Sequence, residues 1–103
     1  GGGSKEPIEH WIYKKEQDVY AIRLLTNTLG TIIPKRSILV VAPHAKVQDG
    51  DIAVLPVGQG KVRLVSVGLT PEGQWYYQCV GRKESLSFDQ IKQAERVVYI
   101  AIP

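Results

Sequence analysis

The chain reads as an all-β domain, a twisted and partly closed, barrel-like sheet with one short helix. Three observations predict this. Short runs rich in Val, Ile, Leu and Tyr recur along the whole sequence, each of strand length. Clusters of Gly, Pro and Asp separate them at short intervals, as turns require. A helix-start pattern stands out at one place only, where Ser87 precedes Gln90 with capping-box spacing.

The elements follow in order. Residues 9–13 form an edge strand or a loop packed by Trp11, and residues 19–25 are rich in strand formers. Residues 37–42 form a continuous apolar run, the pattern of a strand buried on both faces, and Pro43-His44 ends it. Gln48-Asp49-Gly50-Asp51 is a turn in which Gly50 supplies a positive φ. A strand over 52–55 follows, stopped by Pro56, and Gly58-Gln59-Gly60 turns the chain again. Residues 61–67 alternate well enough to have a core face and a second face open to water or a partner. After the turn at Pro71-Glu72-Gly73 comes an aromatic strand over 75–80, with Tyr76 and Tyr77 on opposite faces. A helical turn runs from Ser87 to about Ala94, and residues 96–102 make the last strand.

The chain has 103 residues, 44% of them hydrophobic, enough for one domain with a modest core. Gly1-Gly2-Gly3-Ser4 is an expression scar or flexible linker and is set aside. Residues 5–16 read as a connecting segment and 17–103 as the domain proper. The net charge of +3 is mild, and the basic pairs Lys14-Lys15, Lys35-Arg36 and Arg82-Lys83 are short and separated. A phosphate-binding surface needs a denser stripe, so a small β-barrel nucleic-acid module is an alternative that the charge pattern disfavours.

Cys79 is the only cysteine, which excludes an internal disulfide and, without a Cys/His cluster, a zinc site. It reads as a small apolar filler in a reduced, cytoplasmic setting. His10 and His44 have no metal-ligand spacing partner, and Asp49 and Asp51 belong to a turn rather than a calcium loop. Gly58-Gln59-Gly60 opens a strand, not a helix, and so is no phosphate loop. No metal or cofactor is expected. No apolar run is long enough to cross a bilayer, and the start at Lys5-Glu6-Pro7 suggests a domain taken from a longer protein.

The run from Thr26 to Val41, followed by Gly50-Asp51-Ile52-Ala53-Val54 and Lys61-Val62-Arg63-Leu64, resembles the C-terminal domain of LexA-type and phage-type repressors. Those domains share the fold of the Ser–Lys self-cleaving peptidases and of signal peptidases. Laid on this chain without a gap, the family's first motif, Gly-Asp-Ser-Met-x-Pro, puts glycine on Thr26, aspartate on Asn27, the nucleophilic serine on Thr28, methionine on Leu29 and proline on Thr31. The motif's later glycine falls on Arg36, its apolar run on Ile38 to Val41, and its general-base lysine on Arg63, to within one or two residues. The resemblance covers most of 17–103.

The departures decide what the resemblance implies. A Ser–Lys dyad passes a hydroxyl proton to a neutral lysine, and arginine stays protonated at any usable pH. Lys61 shares the face of Arg63, and residues 5–25 contain no Ala-Gly or Cys-Gly bond to cut. Thr28 and Arg63 are therefore vestiges of a nucleophile and a base, and the chain is expected not to be an enzyme. The alternative is a conditionally active self-cleaving peptidase with Thr28 as nucleophile. From the residues alone, the last strand is apolar on both faces and lies either at the centre of the sheet or at a subunit contact. The resemblance favours the contact, with Val97, Tyr99, Ile100, Ala101 and Ile102 as the seam of a homodimer or higher homo-oligomer. It further implies a helix-turn-helix DNA reader N-terminal to residue 5, no membrane contact, and derepression by a protein antirepressor in place of self-cleavage.

Overall fold

The computed structural model describes residues 18–25, 33–79 and 81–103, together with the chain path over 8–14. One antiparallel sheet dominates. Its strands are β1 (Ile8–Lys14), β2 (Val19–Leu24), β3 (Ile38–Ala42), β4 (Ile52–Gly58), β5 (Lys61–Leu69), β6 (Trp75–Cys79), β7 (Arg82–Ser85) and β8 (Glu95–Ala101), with α1 (Phe88–Gln93) between the last two. The order across the sheet is β1-β2-β3-β8-β4-β5-β6-β7. β1 and β7 are its two edges, so among the described residues the sheet is open, not closed into a barrel. Edge strand β1 lies within the stretch read as a connecting segment and pairs along its length with β2.

The turns form where glycine permits them. Gly50 has φ +91°, and Gly58, Gln59 and Gly60 all adopt positive φ at the β4–β5 reversal. Asp49 and Asp51 serve their turn: Asp49 Oδ1 accepts from Leu69 N at 2.9 Å, and Asp51 Oδ2 from Gln48 N at 2.7 Å. The capping box at Ser87 is complete, with Ser87 Oγ accepting from Gln90 N at 3.1 Å and Gln90 Oε1 from Ser87 N at 2.9 Å.

Three features differ from the expectations. β4 does not stop at Pro56 but runs to Gly58. Pro56 lies on the half of β4 that β8 does not reach, where a missing N–H leaves no gap in a ladder on that side. β7 is an additional strand. Its four residues are all exposed and polar or charged, so no alternation marks it; cross-strand pairing from Tyr76↔Ser85 to Cys79↔Arg82 makes it a strand. β3 is not buried on both faces. Leu39 and Val41 are core, whereas Ile38 and Val40, on the other side, are only half-buried.

Two cores lie on opposite faces of the one sheet. On the face that α1 covers, Ala53 and Leu55 of β4, Val65 and Val67 of β5 and Tyr77 of β6 pack with Val47, Leu86 and Ala94. On the far face, Ile22 and Leu24 of β2, Leu39 and Val41 of β3, Val54 of β4 and Leu64 of β5 pack with Ile33. Adjacent residues of β4 and β5 therefore feed different cores, as the period of two dictates. The helix-side core sits over β4–β5–β6, and the far-side core spans β2–β3–β8–β4–β5. The remaining quarter, the helix-side face of β2–β3–β8, has no layer over it among the described residues.

Candidate functional site

Thr28 lies outside the described residues, but both flanks of its segment are placed. Leu24 N donates to Ser37 O at 3.0 Å and Arg36 N to Leu24 O at 2.9 Å, so the segment's ends meet. Ser37 is fully buried, with Oγ donating to Pro34 O at 2.7 Å. Leu24 and Ile33 both pack in the far-side core, where β5 offers them Val62 and Leu64. Arg63 stands between those two and therefore points to the helix face. There it is half-buried, and its charge acts on the Tyr77 hydroxyl. Lys61 shares Arg63's face and is exposed. On β5, the residues facing the flanks of position 28 are thus hydrocarbon.

Arg36 has an unusual backbone conformation. Its φ is +73°, in the left-handed region where a side chain is disfavoured. A positive φ is the conformation in which glycine is at ease, and this is the position on which the repressor motif's later glycine is expected to fall.

The terminal strand is central. β3 pairs with β8 from Ile38↔Ala101 to Ala42↔Arg96, with a bulge at Val98 that shifts the register. β4 pairs with β8 only at Ala53↔Arg96 and Val54↔Glu95. Beyond that seam β8 runs past the start of β4, so on that side residues 97–101 have no strand neighbour among the described residues. The bulge sorts the five expected contact residues. Val97 and Ile100 turn inward and pack on the far-side core. Tyr99 and Ala101 turn to the helix side, opposite Val40 and Ile38, where no helix reaches them. Tyr99 is 63% exposed, the bulged Val98 47% and Ile102 58%. Tyr99 thus tops an apolar strip with Ile38, Val40, Ala101 and, across β2, Ala21, bordered by Arg23 opposite Ile38.

Two side-chain links flank the seam, one on each face, and only the one on the helix side crosses it. Tyr20 on β2 donates its hydroxyl to Glu95. Burial, then this bond and the carboxylate's charge, push the phenol above the ordinary tyrosine range. On the helix side, Arg96 has Ala42 and Ala53 as its cross-strand neighbours, two small side chains that leave it room. Its Nε lies 3.1 Å from Asp51 Oδ2, an ion pair by distance although the N–H is not aligned for a hydrogen bond. A second carboxylate–phenol pair joins Tyr77 to Glu84; the bond to Glu84, then burial, raises that phenol also.

No protein-family model, no curated protein and no solved structure matches this chain.

Other expectations can be placed. His44 is exposed, 3.6 Å from Asp18, and no cluster of metal-ligating side chains occurs among the described residues. Cys79 is half-buried beside the helix-side core. Of the tyrosine pair, Tyr77 is core, whereas Tyr76 lies across Gly68 with Lys83 Nζ 4.4 Å above its ring. No helix among the described residues is long and apolar enough to cross a membrane.

Sequence reasoning missed one concavity altogether. A groove of about 580 Å³ lies between the β3–β4 connection, the start of β6 and α1. Its lining comes from residues 43–47, 75 and 88–94, too far apart in the chain for any local pattern to announce it.

Proposed function

We propose that this chain is a non-catalytic self-association domain, the C-terminal part of a cytoplasmic phage-type helix-turn-helix repressor with a LexA-like, signal-peptidase-like fold that has lost its dyad. The observation that carries the reading is the apolar strip on β3–β8, crowned by the exposed Tyr99, over which no layer lies among the described residues. A face of Ile, Val, Ala and Tyr side chains open to water is costly unless something covers it. Arg23 and Arg96 flank the strip on the same face, but its centre is uncharged and suits its own copy: across a twofold axis apolar meets apolar, and β8 of each protomer can continue the other's sheet along the edge that β4 leaves open.

Two observations support the lost dyad. The β5 residues facing the flanks of position 28 are Val62 and Leu64, and neither can accept a proton. The left-handed Arg36 stands where the family's motif has glycine. Pairing would serve the repressor by bivalency, since a second DNA reader held near the first binds at a raised effective concentration.

Sedimentation of the chain and of Tyr99→Asp tests this. The native chain should sediment as a dimer at tens of micromolar and Tyr99→Asp as a monomer with an unchanged far-ultraviolet spectrum. A native chain that stays monomeric at high micromolar concentration refutes the proposal.

A further inference from the structure

The groove beside α1 lies apart from the self-association strip. Its floor is Val47 and Ala94, both buried, and its walls are Pro43, Trp75, Ile91 and Phe88. Phe88 is the first residue of α1 and is 71% exposed, so the capping box presents a phenyl ring to solvent rather than to the core. Phe88, Ile91 and Lys92 share one helix side by their spacing of three and four, and all three line the groove.

The charged side chains on its lining are both lysines. Lys46 and Lys92 are exposed on the lining and form no ion pair among the described residues; the third titratable lining group is His44, beside Asp18. No carboxylate lines the groove. An aromatic and aliphatic trough between two unpaired ammonium groups is the complement of a segment with an apolar anchor flanked by carboxylates. A nucleic-acid strand fits less well, since it calls for a line of cations following a backbone and for open ring faces to stack on, whereas two lysines flank a single trough and Trp75 is half-buried.

We infer that this groove docks a short acidic peptide segment of a partner protein, its Leu or aromatic side chain seated between Trp75 and Phe88 and its carboxylates on Lys46 and Lys92. The inference goes beyond self-association and stands even if the Tyr99 strip proves monomeric.

The test is selection of a random dodecapeptide display library on the immobilised native chain. The winning peptide is then titrated by Trp75 fluorescence in a Trp11→Phe background. The recovered sequences should combine Asp or Glu with a Leu, Phe or Trp anchor. Binding should weaken at least about tenfold in Lys46→Glu/Lys92→Glu and in Phe88→Ser, and should be unchanged in Tyr99→Asp. The altered side chains are exposed, so far-ultraviolet spectra should match the native chain; Lys46→Gln/Lys92→Gln, expected to weaken binding in the same direction, serves if the charge reversal unfolds it. The inference is overturned if no peptide is enriched, if the winners lack carboxylates, if the lysine and Phe88 variants bind as tightly as the native chain, or if a twelve-nucleotide oligothymidylate displaces the peptide.

Discussion

The two ends of the sheet solve the same burial problem differently. Over β4–β5–β6 the helix face is covered by α1, Val47 and Leu86, and Leu55, Val65 and Val67 are all buried. Over β2–β3–β8 the same face has no layer among the described residues, and its Ile38, Val40 and Ala101 are half-buried with Tyr99 mostly in water. A sheet two residues deep in period cannot hide both faces with one six-residue helix. The β4–β6 end has its own cover on the helix side and shares the far-side core, whereas the β2–β8 end has that shared core alone.

The comparison breaks most sharply at β3, where neighbouring residues serve opposite faces. Leu39→Ala removes a fully buried side chain and should cost about 2–5 kcal/mol in urea unfolding. Val40→Ala, one residue on, should cost less than about 1 kcal/mol in the monomer while weakening dimerisation. Equal losses at the two positions would mean that the bare face is in fact packed.

A smaller effect is expected at the far end of the sheet. A methyl group on Gly68 would overlap the ring of Tyr76 directly opposite. Gly68→Ala should therefore destabilise by about 1–3 kcal/mol, and most of that loss should vanish in a Tyr76→Ser background, as a double-mutant cycle would register. Additive costs would place the strain elsewhere.

The smallest effect is a gain. Arg36→Gly relieves a left-handed side chain at the bare end and should raise stability by about 1 kcal/mol or less, because glycine's added freedom in the unfolded chain offsets part of the relief. A higher thermal midpoint is the expected readout, and a loss would show that the Arg36 side chain itself anchors the loop.

Much of the architecture was legible in the residues. Gly50, the Gly58–Gly60 reversal and the Ser87 box act locally, through φ and hydrogen bonds within a few positions, and they appear where the sequence places them. β7 was not legible, because a strand of Arg82, Lys83, Glu84 and Ser85 is dictated by its neighbour's open edge rather than by its own pattern. Nor was the sorting of the terminal strand. An unbroken period of two would place Val97, Tyr99 and Ala101 on one face; the bulge at Val98 turns Val97 inward with Ile100 and leaves Tyr99 and Ala101 outside. A bulge is set by pairing, and one strand's sequence does not contain its partner.

The seam between β8 and β4 is only two residue pairs long, and each of those two β8 residues reaches sideways: Glu95 to Tyr20 on one surface, Arg96 to Asp51 on the other. The molecule is in effect two boards joined edge to edge by a short tongue, with one peg on the helix side and a shared hydrocarbon filling on the other. Because that filling spans the line, rocking one board against the other must part packed side chains, and burial rather than the short ladder holds the joint. A copy that continued the sheet from β8 would lie across that line as a splint.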